Sequence, residues 1–298
     1  MLKILTWVVS NDSRFFNGAM NILERQHNGV EVVGVTASVP IVKDGKKVTF
    51  IPLAEVDGGG DYDLILVVGA RQIGMNKITQ AARQFRLPEE KLLGDWIVCI
   101  PGFTLKKYRQ LQRSRLSIFS MNCFGGLISH TLGLPFLTPF INMYTSDKEF
   151  VRFLRAARVY MEEKLTLKET AWQEALHFDY PIVTLGNIDI HMNHYSDFDE
   201  AVKIWKRRKA RINWYNLFVT AYTESEEILQ EFDDLPYSKK VCFVPFKSNL
   251  DSAWYINPKF QNGLAFWNVV NQFGTNPPFY YDVFDMLLYG KKTQLIDM

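Results

Sequence analysis

A cysteine stands where a predicted strand turns into a predicted helix. The segment LSIFSMNCFGGLISHTLG, residues 116–133, is an apolar run followed by Asn122, Cys123 and the pair Gly125 and Gly126, and then by a helical pattern. A thiol at a helix N-terminus lies near the positive end of the dipole, which favours the thiolate nucleophile, provided that a base lies nearby. The N–H groups of the two glycines are candidates to bind an oxyanion or a phosphate. Alternatively, Cys123 is a small buried residue and the glycines only allow close packing.

A second group of polar residues lies in NIDIHMNHYSDFDE, residues 187–200. Strand alternation puts Asn187, Asp189 and His191 on one face, and His194 follows just beyond the strand end. In this arrangement Asp189 is a candidate to orient His191 or His194 as a general base. The set lacks a further evident ligand, so no metal site is predicted. The alternative is a polar sheet face with a capping histidine.

A third candidate is the basic helix in KIWKRRKARIN. Starting at Phe198, helical periodicity puts Trp205 on a buried stripe, and six positive charges fall within residues 203–211. Arg208 and Arg211 border that stripe and are predicted to hold a phosphate or pyrophosphate group. The alternative is a solvated charged face, which explains most runs of this kind.

The first predicted strand-to-helix loop, SNDSRFFNG, argues against a dinucleotide cofactor. A dinucleotide-binding turn needs G-x-G-x-x-G so that the backbone can approach the pyrophosphate, and this loop has only Gly18. Asp12 and Ser13 are predicted to cap the helix instead. No cofactor is therefore predicted.

Composition limits the class of protein. The chain has 298 residues, 47% hydrophobic content and a net charge of +2, which is less basic than most nucleic-acid-binding proteins, so no nucleic-acid partner is predicted. Its three cysteines have no paired spacing, which indicates a reducing compartment without disulfides. Neither a signal peptide nor a run of about 20 apolar residues is evident, so a cytoplasmic protein is expected.

The order of predicted elements indicates an α/β fold. Short apolar runs such as KILTWVVS, VEVVGVTAS, LILVVGA and LSIFSMN alternate with helical patterns, which is typical of mostly parallel, doubly wound sheets. After residue 126, PIVTLGNIDIHM reads as a strand and WYNLFVTAY to KKVCFVPF as a further βαβ unit. Two Rossmann-like domains are predicted, residues 1–115 and 116–298, with a cleft between them.

Residues 116–245 resemble the family known as domain of unknown function 1919, whose members are often labelled exopolysaccharide biosynthesis proteins. The resemblance rests on Asn-Cys-x-Gly-Gly, the following Gly-Leu-Pro, and His-Tyr before a tryptophan-containing helix that ends in Arg-Arg-x-x-Arg-Ile-Asn. Residues 1–110 resemble the Rossmann-like modules of bacterial surface-sugar acyltransferases. The family resemblance implies functional importance for Asn122, Cys123, Gly125, Gly126, His194, Tyr195, Trp205, Arg207, Arg208, Arg211 and Asn213.

Together these observations predict a transferase-like protein of cell-surface polysaccharide assembly that binds a phosphorylated or nucleotide-linked sugar. The predicted catalytic residues are Cys123, His194, His191 and Asp189. The predicted substrate-binding residues are Asn122, Gly125, Gly126, Tyr195, Arg207, Arg208, Arg211 and Asn213. A non-catalytic sugar- or nucleotide-binding accessory protein and a Cys–His hydrolase are the alternatives, and peripheral contact with a lipid-linked sugar at a membrane stays open.

Overall fold

Two parallel β-sheets and one antiparallel sheet carry the fold. The computed structural model describes residues 1–9, 15–36, 42–43, 46–47, 51–69, 71, 73–257 and 281–295. Its contacts divide the chain into one unit of residues 1–113 and 130–134 and a second of residues 114–129 and 135–298. The predicted α/β class with parallel sheets is confirmed. The predicted domain limits and the cleft between the domains stay predictions.

The first unit is built on a parallel sheet with the strand order β2-β1-β5-β6. Its strands are β1 (Leu2–Val8), β2 (Val30–Thr36), β5 (Leu64–Val68) and β6 (Leu92–Gly94), and a short pair is formed by β3 (Val42–Lys43) and β4 (Lys46–Lys47). Its helices are α1 (Phe16–Gln26), α2 (Met75–Gln84), α3 (Asp95–Val98) and α4 (Leu105–Arg113). Every residue of β5 is buried, which explains its uninterrupted apolar sequence.

Two local predictions in the first unit are only partly covered. The predicted cap residues Asp12 and Ser13 lie outside the described residues. The apolar segment VTFIPLAEV, residues 48–56, predicts a short strand or edge segment. Residues 48–50 also lie outside the described residues, and Leu53–Glu55 form a 3-10 turn rather than a strand. Pro52 lacks the N–H that a strand ladder needs, which accounts for this difference.

The second unit has a parallel sheet with the order β13-β12-β11-β7. Its strands are β7 (Ser117–Ser120), β11 (Leu217–Tyr222), β12 (Lys240–Val244) and β13 (Ala253–Tyr255). The helices that follow α4 in the chain are α5 (Phe124–Thr131), α6 (Asp147–Arg155), α7 (Ala157–Glu162), α8 (Phe198–Lys209), α9 (Glu226–Asp233) and α10 (Val283–Tyr289). The predicted βαβ unit is therefore present as β11-α9-β12.

An antiparallel sheet in the second unit was not predicted. Its strands are β8 (Leu165–Gln173), β9 (Phe178–Leu185) and β10 (Ile188–His191), in the order β10-β9-β8. The single strand predicted for PIVTLGNIDIHM is instead a hairpin, because Gly186 has a φ of +61° and turns the chain back. Gly-Asn between two apolar runs is a recognised hairpin sequence. The prediction of a single strand was therefore wrong, although the sequence itself contains the signal for a hairpin.

Aromatic packing forms the core of the second unit. Phe140 lies 4.8 Å from Phe153 and 5.6 Å from Trp205 between ring centroids, with the rings edge to face. Phe119 of β7 packs on Phe140 at 5.4 Å. Trp205 is buried on the predicted stripe of α8, so the family's tryptophan is a core residue. In the described part of the chain, no helix combines the length and the apolar character needed to span a bilayer.

The sequence Ser-x-x-Glu at Ser146 and Glu149 predicts a capping box at the start of a helix. The Ser146 hydroxyl accepts the Glu149 N–H at the start of α6 and donates to the Glu149 carboxylate at 2.8 Å. This confirms the predicted capping pair, although the carboxylate bonds the hydroxyl rather than the backbone. Asp197 caps α8 in the same way by accepting the Glu200 N–H at 2.7 Å.

The two glycines of α5 permit close packing of that helix. A Cβ atom on Gly125 would lie 2.7 Å from Ser120 Oγ and 3.1 Å from Ile118 Cγ2, and one on Gly126 would lie 3.0 Å from Ile141 Cγ2. Such distances force neighbours to move. The packing interpretation of the glycine pair is therefore the one that the geometry supports.

We expect Gly125→Ala to destabilise the protein. Overpacking costs about 1–3 kcal/mol, and the better helix propensity of alanine offsets at most about 1 kcal/mol of this. The measurement is the free energy of unfolding in urea. Gly59→Ala is the control, because its Cβ would meet nothing closer than Asp57 Oδ1 at 3.5 Å. An unchanged or raised stability for Gly125→Ala would contradict the packing argument.

Candidate functional site

The turn that carries Cys123 is fixed by its own hydrogen bonds. Ser120 Oγ donates to the Asn122 carbonyl at 2.8 Å and accepts the Gly125 N–H at 2.9 Å. Asn122 Oδ1 accepts the Phe124 N–H at 3.0 Å. The N–H of Gly125 is thus already engaged, so the predicted use of this glycine as an oxyanion or phosphate donor does not fit the structure.

His194 lies beside the thiol. The distance from Cys123 Sγ to His194 Nε2 is 3.7 Å, although the two residues are 71 positions apart in the chain. Cys123 is half-buried, and His194 keeps an exposed ring. Of the predicted catalytic residues, these two are brought together as a nucleophile and base require.

Burial sets the charge state of this pair. Burial raises the pKa of the Cys123 thiol, and the backbone N–H of Met143 offsets this only in part. Burial also lowers the pKa of His194. The dipole argument favours a thiolate at this helix N-terminus, whereas burial acts on the thiol in the opposite direction. The resting pair is a neutral thiol beside a neutral imidazole.

A cavity of about 420 Å³ opens beside the thiol. It is lined by one thiol, three carboxamides and four aromatic rings: Cys123, Asn122, Gln173, Asn193, Tyr144, Trp172, Tyr180 and Tyr222. None of these lining side chains carries a charge at neutral pH. In the described part of the chain, no group of three or more His, Cys, Asp or Glu side chains is placed to hold a metal ion.

The carboxamides present unused hydrogen-bonding atoms to this cavity. Asn193 Oδ1 is buried and has no hydrogen-bond partner among the described residues. Gln173 Nε2 donates to the Asn193 carbonyl at 3.2 Å, which leaves Gln173 Oε1 as an acceptor. Since Asn122 Oδ1 caps α5, its NH₂ group remains as a donor. A buried acceptor without a hydrogen-bond partner is costly, so Asn193 Oδ1 is the least satisfied polar atom among the lining carboxamides.

His191 and Asp189 do not reach Cys123. The His191 ring stacks on Tyr144 at 4.4 Å, and its Nδ1 lies 3.3 Å from the Tyr180 hydroxyl. Asp189 pairs with Lys168 at 2.5 Å. Contrary to the prediction, Asp189 therefore orients neither histidine. His191 instead lies behind two tyrosines that line the cavity, where burial lowers its pKa.

Arg208 and Tyr195 are engaged inside the protein. Arg208 Nη1 donates to the Tyr195 hydroxyl at 2.6 Å and to the Ile141 carbonyl at 3.3 Å. The Tyr195 hydroxyl in turn donates to the same carbonyl at 3.1 Å. Burial raises the pKa of Tyr195. These contacts tie α8 to the segment before α6, and neither residue lines the cavity.

The remaining predicted ligands also lie away from the cavity lining. Arg207 and Arg211 are exposed on and after α8. Asn213 accepts the Tyr215 N–H with Oδ1 and donates from Nδ2 to the Arg115 carbonyl at 2.9 Å, so it shapes a turn. The structure therefore does not bring the basic helix to Cys123.

Sequence reasoning missed most of the cavity lining. The unforeseen residues are Tyr144, Trp172, Gln173, Tyr180, Asn193 and Tyr222. They come from five different strands or loops, and no spacing rule links them. The only local sign is at Trp172, because an exposed tryptophan on an edge strand is unusual.

Comparisons with known proteins cover this site. A family model described as "Domain of unknown function (DUF1919)" matches residues 98–290, which is more than half of the chain. An uncharacterized protein of Haemophilus influenzae is 33% identical over 182 residues, covering 59% of this chain and 84% of that protein. The range matched by the family model contains Cys123, His194 and every residue that lines the cavity.

We expect Arg208→Ala to lower stability by about 1.5–3 kcal/mol, the usual worth of hydrogen bonds from a charged donor. Arg207→Ala should change stability by no more than about 0.5 kcal/mol, because that side chain is exposed on the same helix. Urea unfolding measures both variants. Equal stability of the two variants would show that the internal contacts of Arg208 do not stabilise the folded protein.

We expect iodoacetamide to label Cys123 faster than Cys99 near neutral pH, and Cys99 faster than the buried Cys242. Burial raises the pKa of Cys99 to about 11, whereas Cys123 has the imidazole of His194 at hand. His194→Ala should slow labelling of Cys123 several-fold and leave Cys99 unchanged. Peptide mass spectrometry measures the rates.

The pH dependence has a definite sign. Because the pKa of His194 is lowered, its imidazole stays an unprotonated base at neutral pH. Its assistance should be lost only as the pH falls below about 6.5, the ordinary histidine value. Equal labelling of Cys123 in the parent protein and in His194→Ala at every pH would rule out the base role.

Proposed function

Because this chain belongs to the family described as domain of unknown function (DUF1919), we propose a function from its own geometry: cysteine-dependent acyl transfer on a neutral sugar. The observation that carries the proposal is the distance of 3.7 Å between Cys123 Sγ and His194 Nε2 at the edge of the cavity. The predicted resemblance of residues 116–245 to this family is confirmed. Its frequent label as exopolysaccharide biosynthesis supports the same substrate class.

The two side chains suffice for a balanced acyl transfer. His194 accepts the thiol proton while Cys123 Sγ attacks the carbonyl carbon of an ester, forming a tetrahedral oxyanion. The imidazolium then protonates the leaving alkoxide as the C–O bond breaks, and an acyl thioester remains on Cys123. A sugar hydroxyl or water, deprotonated by His194, attacks the thioester, and the departing thiolate recovers a proton from the imidazolium.

Asn122 is the candidate oxyanion donor. It lines the cavity next to Cys123. Its Oδ1 accepts the Phe124 N–H at the start of α5, so its NH₂ group is the part of the side chain that remains to donate to an oxyanion. A preorganised carboxamide donor contributes about 2.7–4 kcal/mol in enzymes that stabilise a tetrahedral oxyanion. This assignment replaces the predicted role of the glycine N–H groups.

The cavity lining favours a neutral, hydroxyl-rich ligand. Aromatic faces such as Tyr144 and Trp172 cover the apolar face of a sugar ring, and carboxamides hydrogen-bond its hydroxyls. Asn193 also lines the cavity, and its carboxamide is a further candidate to hydrogen-bond a sugar hydroxyl. Because no lysine or arginine is among the described residues that line the cavity, this lining does not support the phosphorylated or nucleotide-linked sugar predicted from the basic helix.

One observation favours a second candidate function, a non-catalytic sugar-binding accessory protein. Burial raises the pKa of Cys123, which reduces the thiolate population in the resting protein. Such a protein binds the sugar equally well when Cys123 is replaced by alanine, and forms no thioester. In either case three free cysteines fit a reducing, cytoplasmic location.

We expect a chromogenic acetyl ester to acetylate Cys123. Intact-protein mass spectrometry should detect one acetyl group, absent in Cys123→Ser, and His194→Ala should slow its formation about 10²-fold, the usual minimum for loss of a general base. Neutral monosaccharides should then remove the acetyl group faster than water alone, and Asn193→Ala should weaken that acceleration.

Cys99→Ser is the matched control, because Cys99 is also free and half-buried but has no histidine partner among the described residues. Acetylation that is equal in Cys99→Ser and in the parent protein supports the assignment to Cys123. Acetylation that is indifferent to His194 would refute acyl transfer, whereas sugar binding without any acetylation would establish the accessory function.

A further inference from the structure

A second cavity in the same unit has no residue in common with the cysteine cavity. It has a volume of about 400 Å³ and is formed by residues 154–159 around the α6–α7 junction, by residues 214, 215 and 217 before and in β11, and by residues 236–238 after α9. A volume of this size suits a small ligand. Its lining is aromatic and cationic, unlike the uncharged cavity beside Cys123.

Arg158 supplies the positive charge of this cavity. Its guanidinium carbon lies 4.5 Å from the centroid of the Trp214 ring, and the side chain is exposed. In the part of the chain that the structure describes, it forms no ion pair or hydrogen bond, so its N–H groups are available. Arg155 also lines the cavity, but it is neutralised by Glu231 at 3.2 Å.

The platform under Arg158 is anchored in the core. Trp214 packs edge to face on the buried Phe119, with ring centroids 5.8 Å apart. On another wall, the Tyr237 hydroxyl donates to the Leu154 carbonyl at 2.7 Å. The Arg158 guanidinium thus stacks on a ring that is anchored in the core, and no anion of the described residues pairs with it. Arginine combines stacking of this kind with bidentate recognition of phosphate.

Tyr215 is the second unexplained feature of this cavity. Its side chain is 99% exposed, although the backbone that carries it is fixed, because its N–H bonds Asn213 Oδ1 at 3.3 Å. The backbone of Asn213 is held in place as well, because its N–H donates to Ser117 Oγ at 2.8 Å. A tyrosine ring held out on a fixed turn beside a cation offers a face for a planar ligand.

We propose that this cavity binds a nucleotide, with the base stacked on Tyr215 and the phosphate on Arg158. The arginine fork matches phosphate geometry, and an aromatic face accepts any base. The proposal does not depend on the chemistry at Cys123. Under this proposal Asn213 positions Tyr215 through the hydrogen bond to its N–H. A phosphate-bearing ligand would then bind here and not in the cavity beside Cys123.

The experiment is isothermal titration of the full chain with AMP, UMP, adenosine, uridine and inorganic phosphate. We expect both nucleotides to bind, and both nucleosides and phosphate to bind at least about tenfold more weakly, as loss of one charge-assisted contact predicts. Arg158→Gln should weaken nucleotide binding about tenfold and leave nucleoside binding unchanged. Tyr215→Ala should weaken both, and Tyr215→Phe should restore them.

Lys203→Gln is the control for loss of a positive charge, because Lys203 is exposed on α8 and does not line the cavity. Cys123→Ser should bind nucleotides normally, which separates this proposal from the acyl-transfer proposal. Absence of nucleotide binding, equal binding by Arg158→Gln, or phosphate binding as tight as that of AMP would overturn it. Self-association that Tyr215→Ala abolishes would also overturn it, because a second copy would then cover the ring.

Discussion

The site depends on how closely α5 approaches β7. Ser120 fits against Gly125 so tightly that a single added methyl group would lie 2.7 Å from its hydroxyl oxygen. The same hydroxyl donates to the Asn122 carbonyl and accepts the Gly125 N–H, so it fixes the turn between the strand and the helix. Cys123 owes its position to this turn. The glycines are thus packing residues, and through the packing they determine where the thiol lies.

A second constraint brings the histidine to the thiol. Tyr144 and His191 exchange two backbone hydrogen bonds, of 2.9 and 2.8 Å. The neighbouring N–H of Met143 reaches Cys123 and partly offsets the raised pKa of its thiol. The segment formed by Met143 and Tyr144 therefore contacts both Cys123 and the end of β10. It holds the end of β10 beside the cysteine turn, and His194 follows three residues later.

The sequence predicted local features well and long-range contacts poorly. The helix at Ser146 was predictable because its capping pair is local, and the stripe containing Trp205 was predictable from helical period alone. The pairing of Cys123 with His194 was a reasonable candidate, since both follow strand ends. The aromatic lining was not predictable, because Tyr144 and Trp172 meet only through the unforeseen antiparallel sheet. Periodicity placed Arg208 on α8 correctly but carried no information about the carbonyl that it binds.

The lack of charge in the cysteine cavity bears on the proposed chemistry. An ionised thiolate–imidazolium pair would have to be stabilised against burial, and apart from the thiol the described lining residues are carboxamides and aromatic rings. The neutral pair has the lower desolvation cost. In the proposed acyl transfer, the proton therefore leaves Cys123 only when an electrophilic carbonyl is present to accept electron density from the sulfur. The same lining that we propose to bind a neutral sugar therefore also keeps the thiol protonated when no substrate is bound. If the acyl-transfer proposal holds, the thiol is poorly reactive at rest and gains selectivity, because the nucleophile then forms only with a substrate in place.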